Sequence, residues 1–445
     1  MPVNILNMVD YSVTAVDYTD HDYHIKAETK STPSNCPYCQ SKNLVGFGRR
    51  EQLVKDMPMH GRRVGLYVST KRIKCQDCKK TFSERLPEVD HKRAMTKRLL
   101  AWVGKQAIKR TFTSVAEEVG VTEGTVRIIF NDYVSELERT IKFETPTWMG
   151  IDEIHLIKPR GVITNIKNNT AVEILKDRNK KTIADYLYRL KDRHTVQYVA
   201  MDMWRPYRDA VSEVIPQASI VVDKFHVVRM ANDAMESVRK SMRADLTLKQ
   251  KRGLMHDRFV LLRRESELTN QESFNLNGWA KNYPLLGEAY RLKEDFIKIY
   301  DAQNQTQAMA RYEYWHKSIP PELYNHFSPI ITAWSNWQPC ILEYFNHPVT
   351  NAYTESLNSL IRVMNRLGRG YSFEALRAKI LFTEGSHKVI QPRPKFERRD
   401  AQYDTPFIGY AMFTGAPIST RSDKKEKNYG AHLSTLARMI ERGEI

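Results

Sequence analysis

Apolar positions along the chain change their spacing several times, and each change marks a change of architecture. Residues 1–90 read as short strands and turns around cysteines. Residues 92–142 switch to a helical repeat. Thr145-Pro146-Thr147 is a short extended break, because proline disfavours helix in the residue before it. WMGIDEIHLI, GVITNI and TAVEILKD follow, apolar or alternating and separated by Pro-Arg-Gly and Asn-Asn, which predicts three strands. KKTIADYLYRL places Ile183, Leu187 and Leu190 at helical spacing. TVQYVAMDM and ASIVVDKF predict two more strands, with the helical WRPYRDAVSEVI between them. Strands alternating with helices in this order predict a mixed α/β unit. From about Val227 to Phe345 the pattern is helical and charged, and a further helix is expected over about Val349–Leu367. After Gln391 the chain reads as irregular, with a last short helix near Leu433–Glu441.

Length and charge sharpen this picture. A chain of 445 residues exceeds what one core supports, so several domains are expected. The apolar fraction of 41% fills real cores and excludes a mainly disordered chain. The net charge is +17, and it is uneven. Lys42 to Arg110 carries a net +13, Arg362 to the end a net +7, and the remainder about −3. A basic chain of this size points to a polyanion, and nucleic acid is the usual one. No apolar run approaches a membrane span, and the N-terminus does not read as a secretory signal. Five cysteines, four of them in CxxC pairs, suit a reducing, cytoplasmic compartment rather than a disulfide framework.

Cys36-Pro-Tyr-Cys39 and Cys75-Gln-Asp-Cys78 are two knuckles separated by 35 residues. Each offers two thiolates from a tight turn, and four together satisfy tetrahedral zinc. Free thiols or a redox pair are the alternative. The spacing is wider than in most such sites, so the ribbon must carry an insertion. Cys340 stands alone and reads as a small buried apolar residue.

Phe112 to Phe130 reads as two helices joined by a tight turn. Ala116 is small where the helices would cross, Gly120 sits where the turn needs a positive φ, and Thr122 can cap the second helix. Val126 and Ile129 would face the core, which leaves Thr125, Arg127 and Asn131 for a DNA major groove. Lys97 and Arg98 are expected phosphate contacts. An ordinary helical hairpin is the other reading.

Three acids stand out. Asp152 lies inside an apolar strand, Asp202 ends another, and Glu355 lies on a helix in NAYTESLN. Acids are seldom left in apolar strands without a partner, although a strand-end Asp is often only a helix cap. Three converging carboxylates can hold two Mg²⁺ or Mn²⁺ ions, which activate a nucleophile and stabilise a leaving oxygen. Asn351, Glu355, Asn358 and Arg362 are spaced to share one helix face. Arg362 could bind a scissile phosphate or be a solvated charge.

The CPYC/CQDC knuckles, the helix-turn-helix, GIDEIH, AMDMWRPY, VVDKFHVVR and NAYTESLNSLIR together resemble the DDE transposases of bacterial insertion sequences, of the ISL-three (ISL3) family. The resemblance runs to about residue 390. It implies a multidomain α+β protein in which a ribonuclease-H-like catalytic core is interrupted by an all-α insertion. The divisions would be 1–90 zinc ribbon, 91–145 helix-turn-helix, 146–228 first part of the core, 229–345 insertion, 346–390 second part of the core, and 391–445 basic tail. It implies that Asp152, Asp202 and Glu355 are the catalytic triad. Asp223 and His226 match an Asp-x-x-His motif of related transposases and are expected in support, although His226 also reads as a packed histidine. The expected activity is binding of the element's terminal inverted repeats, hydrolytic cleavage at its ends, and joining of the 3′-hydroxyls to target DNA. A homodimer or larger assembly on double-stranded DNA, at the bacterial nucleoid, is expected with it. A DNA-binding regulator with a dead core, and a nuclease that cuts without joining, are the competing readings.

Overall fold

The computed structural model of the protein describes residues 6–141 and 144–385. The expected basic tail and its last short helix lie outside the described residues. The N-terminal part is a sheet built on β1 (Tyr11–Tyr18), β2 (Asp22–Thr29), β3 (Leu44–Met59) and β4 (Arg62–Cys75), with short β5 (Thr81–Ser83), β6 (Val89–Asp90) and β7 (Met95–Thr96). The strand order is β1-β2-β4-β3-β7-β6, and β5 pairs with β4. The sequence suggested short strands here, but β3 and β4 run for 16 and 14 residues as one long hairpin. Its turn is His60-Gly61, both with positive φ, the backbone a two-residue hairpin loop needs. Charged residues and glycines in GFGRREQ hide the alternation in β3, whereas Val64, Leu66 and Val68 of β4 alternate into the core. This hairpin fills the gap between the two cysteine pairs.

Three helices follow: α1 (Lys97–Lys109), α2 (Phe112–Val119) and α3 (Glu123–Thr140). Gly120 closes α2 at φ 70°, and the Thr122 hydroxyl accepts from the Thr125 N–H to start α3. Val126, Ile129 and Phe130 turn inward onto Leu99, Val103, Phe112 and Val115. Ala116 is buried in the same cluster, as its small size at a helix crossing suggests.

The second sheet comprises β8 (Trp148–His155), β9 (Pro159–Asn165), β10 (Thr170–Ile174), β11 (Tyr198–Met201) and β12 (Ser219–Val222), in the order β10-β9-β8-β11-β12. β9 is antiparallel to both its neighbours, whereas β8, β11 and β12 are parallel. The parallel pairs need crossovers, supplied by α4 (Lys180–Arg189) and α5 (Arg205–Val214). Alternation along β8 sorts its side chains. Met149 and Ile151 join Ile183, Leu187, Tyr207 and Val211 of α4 and α5, while Ile154 joins the opposite face.

Between β12 and the last two helices stand α6 (Lys224–Ser241), α7 (Leu248–His256), α8 (Arg258–Leu262), α9 (Asn270–Asn282), α10 (Pro284–Ile297), α11 (Gln305–Lys317) and α12 (Pro321–Leu342). They bury their own core, centred on Phe296, Trp315, Phe327 and Trp334. Cys340 is half-buried at its margin. α13 (Ala352–Leu367) and α14 (Phe373–Glu384) then return to the sheet, where Leu357, Ile361, Leu376 and Ile380 cover Ile154 and Val162.

α14 also ties the sheet to the three-helix unit. Lys379 is buried, and its ammonium donates to the Ala107 and Arg110 carbonyls at the end of α1 beneath the Phe112 and Tyr371 rings. Arg377 binds Glu173 of β10 through two nitrogens and Glu138 of α3 through a third contact. No helix among the described residues is long and apolar enough to cross a membrane.

Candidate metal centres and nucleic-acid face

The first centre is made of sulfur. Cys36 and Cys39 precede β3, and Cys75 and Cys78 end the hairpin, so the long pairing brings the two knuckles together. The Cys36 and Cys78 sulfurs are 3.7 Å apart, and those of Cys39 and Cys75 are 3.6 Å apart. A tetrahedron with ~2.3 Å zinc–sulfur bonds has edges of about 3.8 Å, so the four thiols fit zinc. The Cys78 amide, with other donors of the knuckle, holds the Cys75 thiol down to about 7, which favours the thiolate a metal requires. Ser41 and Asn43 both donate to the Asp77 carboxylate and clamp one knuckle to the other.

The second centre lies at one end of β8 and β11. Ile151 pairs with Met201 in parallel register, so the next residues, Asp152 and Asp202, stand side by side. Ligand atoms of Asp152, Asp202 and His226 all lie within 4.8 Å of one another, and so do those of Asp223, His226 and Glu355. His226 is therefore common to both groups, and Glu355 joins through the Asp223–His226 side. The reason is local. Asp223 follows β12 and caps α6 by accepting from the Phe225 N–H, and the first turn of α6 swings His226 back over the strand ends.

α13 fixes the Asp152 carboxylate. Asn358 Nδ2 donates to Asp152 Oδ2 at 2.8 Å, and the Glu153 N–H donates to Oδ1 at 2.7 Å. Asn351 Nδ2 donates to the Ile151 carbonyl, and the Thr354 and Thr164 hydroxyls meet at 2.7 Å. This close approach explains Gly150, because a Cβ there would lie 2.4–2.6 Å from Thr164, Asn351 and Thr354 oxygens. The expected shared face thus splits: Asn351 and Asn358 are buried against the strand, whereas Glu355 and Arg362 are exposed.

The electrostatics fit a cation. Burial pushes the Asp152 carboxyl up to about 6; Asp202 and Glu355 add to the rise, and the Glu153 amide opposes it. Burial also raises Asp202. Charging Asp152 in this setting costs about 3 kcal/mol, at 1.36 kcal/mol per unit. Asp223, with Asp202 and Asp152 behind it, raises the His226 imidazole above its ordinary value against the pull of burial. Asp202 Oδ1, Asp223 Oδ2 and His226 Nδ1 are buried without a hydrogen-bond partner among the described residues. Buried polar atoms are rarely left so. Three of them beside two further carboxylates form an oxygen-rich donor set that a divalent cation would satisfy.

The third feature is the outer side of α3. Gly124, Arg127, Ile128 and Asn131 form an exposed stripe at helical spacing, and Gly124 leaves the helix surface open. Arg127 is held by Glu123 at 2.7 Å, and Thr125 is half-buried beside Thr122. A groove of about 810 Å³ runs between α3 and the N-terminal sheet, lined by Lys55, Arg63, Lys92, Arg93, Thr125 and Ile128. Lys97 is exposed and lies 3.4 Å from Glu88. Arg98 departs from the expectation of a phosphate contact: its Nε and Nη2 both donate to the buried Asp56 carboxylate, and its Nη1 donates to the Leu6 carbonyl. Asp56 is buried and accepts from the Thr96 hydroxyl as well, and Arg98 neutralises its charge, so that arginine serves the fold. Sequence reasoning missed Ile128, Lys92 and the central place of His226. An Ile in a helical pattern reads as core, a Lys among many others is not singled out by type, and Asp-x-x-His spacing does not say which acids a histidine meets.

Three comparisons bear on this arrangement. Residues 149–380 match the transposase domain of the ISL3 family, residues 32–78 match the zinc finger of the transposases of IS204, IS1001, IS1096 and IS1165, and residues 84–134 match the helix-turn-helix domain of transposase family ISL3. The chain is 23% identical over 345 residues to the transposase for insertion sequence element IS1001 of Bordetella parapertussis, covering 76% of this chain and 85% of that one. It is also 23% identical over 325 residues to the transposase for insertion sequence element IS1557 of Mycobacterium tuberculosis, covering 66% and 72%.

Proposed function

The chain belongs to the ISL3 family of insertion-sequence transposases, and from that premise we propose that it cleaves the DNA ends of its own element and joins them to target DNA. One observation carries the reading. Asp152, Asp202, Asp223, His226 and Glu355 form two groups that share His226, and Asp202, Asp223 and His226 each keep a buried atom without a hydrogen-bond partner among the described residues. The strand order, with only the second strand reversed, supports a ribonuclease-H-like core, and α6–α12 then form an insertion between the second Asp and the Glu. Asp152, Asp202 and Glu355, with His226 between them, would hold Mg²⁺ or Mn²⁺. Bound there, the cations would activate water or a 3′-hydroxyl and stabilise the leaving oxygen. Asn358 and the Glu153 amide keep the Asp152 oxygens in place. The zinc ribbon and helix-turn-helix hold the double-stranded end. The working form is taken to be a dimer or larger, with one active site for each end, acting at the nucleoid. A regulator with a dead core is disfavoured because no member of the acid set is replaced.

Cation binding tests the centre and gives it a pH dependence. A carboxylate raised to about 6 is largely protonated below that pH and cannot serve as a ligand. Mn²⁺ affinity, read by electron paramagnetic resonance, is expected to rise about tenfold between pH 5 and pH 7 and then level off. The opposite sign holds for stability without metal, which falls as pH rises through this window. Because Asp152 is raised in the fold, its burial penalty is full above about 6 and fades as pH falls towards the carboxyl's ordinary value. A flat Mn²⁺ profile across this window would remove Asp152 from the ligand set.

DNA reading is assigned to the exposed stripe of α3. Arg127→Ala and Ile128→Ala are each expected to weaken binding to the element's end by about 1–3 kcal/mol and to spare unrelated DNA. Glu123 does not prevent this, because an exposed ion pair is worth little and exchanges readily. Lys92→Ala, on the groove wall, should weaken both DNAs about equally, since a phosphate contact reads no sequence. Binding isotherms at two salt concentrations check this. Equal losses on both DNAs for Arg127→Ala and Ile128→Ala would mean that α3 does not enter the groove.

A further inference from the structure

Arg178 lodges a guanidinium beside the acid cluster, and neither the family match nor the metal chemistry gives it a task. It lies between β10 and α4, where the chain crosses the rim of the sheet. Its guanidinium pairs with the Glu153 carboxylate and lies 4.5 Å from the centre of the Trp204 ring. Both neighbours touch the catalytic strands directly. Glu153 follows Asp152, and its N–H holds the Asp152 carboxylate. The Trp204 N–H donates to the Asp202 carbonyl at 2.9 Å. Arg178 therefore stands at the edge of the site, close enough to Asp202 to pull that carboxyl down against its burial.

We propose that Arg178 is a positioning residue that binds the phosphate flanking the scissile one when a DNA end docks, exchanging its bond to Glu153 for the phosphate. The inference rests on the end-cleaving reading of the acid cluster. A site with four carboxylates repels DNA, and bound cations offset that only at the scissile phosphate. A neighbouring phosphate needs its own cation. Arg suits the task because its planar fork binds two phosphate oxygens at once. Exchange is easy because the pair with Glu153 is about one-third exposed, where such pairs contribute little. The Trp204 face keeps the guanidinium in place during the exchange, because cation–π attraction does not depend on Glu153.

The test uses the full-length protein and duplex DNA carrying the sequence that flanks the gene. Asp152→Asn protein is used for footprinting so that the DNA stays intact. An arginine-selective dicarbonyl reagent, with modification located by mass spectrometry, should label Arg178 in free protein and faster still in Glu153→Gln. Bound DNA should protect Arg178 at least about fivefold in either background, as a bidentate phosphate contact would. Arg178→Ala should slow single-turnover cleavage about thirty- to a hundredfold with end affinity little changed, and Arg178→Lys should recover only part. Arg178 labelled equally with and without DNA overturns the proposal, as does full-rate cleavage by Arg178→Ala. Intact DNA with wild-type protein and Mg²⁺ would instead sink the end-cleaving reading, while the footprint still reports on Arg178.

Discussion

Asp152→Ala, Asp202→Ala and Glu355→Ala are each expected to lower DNA cleavage at least about a thousandfold, roughly 4 kcal/mol of lost transition-state stabilisation, while end binding stays near wild type. The separation follows from the architecture. Affinity is assigned to the zinc ribbon, the groove wall and α3, while the acids lie within β8, just after β11 and on α13. His226→Ala should fall with them, because His226 is the one residue shared by the Asp152–Asp202 group and the Asp223–Glu355 group. Asp202 and Asp223 each keep an unpartnered buried oxygen beside it. Asn358→Ala should act more mildly, about ten- to a hundredfold, since it orients Asp152 without replacing a ligand. Cleavage of end-labelled duplex in Mg²⁺, with binding measured in parallel, reads all five variants. Near wild-type cleavage by any of the three acid variants would take that acid out of the triad.

Cys75→Ser is expected to remove the one structural zinc and to weaken end binding at least about tenfold, because metal binding and local folding are one equilibrium in such knuckles. Cys75 is the last residue of β4, opposite Leu44 of β3, and its N–H donates to the Lys80 carbonyl. Losing its sulfur should therefore fray the far end of the hairpin and β5, but not the turn at His60-Gly61, which has Val64 and Leu66 in its own core. Hydrogen exchange should show rapid amides near residues 36–48 and 70–83 and unchanged protection in α3. Metal analysis should fall from one zinc per chain to none. Protein that holds no zinc when purified without chelators, yet binds ends normally, would contradict the assignment.

Much of this was legible in the residues because the relevant signals are short-range. CxxC pairs, a capped glycine turn and an acid inside an apolar strand each announce themselves within ten residues. Asp152 and Asp202 stand out because an apolar strand has no other reason to carry them. What the sequence left unread depends on which strands become neighbours. The place of His226 follows from β12 lying next to β11, and that of Arg178 from the loop after β10 reaching the rim beside Trp204. Arg98 was misjudged because its partner Asp56 lies 42 residues away on β3, and a basic segment looks uniformly available in one dimension. The long hairpin was underestimated because glycines and charges interrupt β3, while its partner β4 carries the alternation for both. Lys379, an ordinary surface lysine by composition, is instead buried as the link between α14 and α1.

The most direct measurement places wild-type protein with Mg²⁺ on DNA that carries both flanks of the gene and maps any strand breaks at nucleotide resolution. Breaks are expected only at the two element ends, each leaving a 3′-hydroxyl, with none in chelator and none with Asp152→Ala. DNA that is bound specifically at those ends but remains uncut in Mg²⁺ and in Mn²⁺ would contradict it.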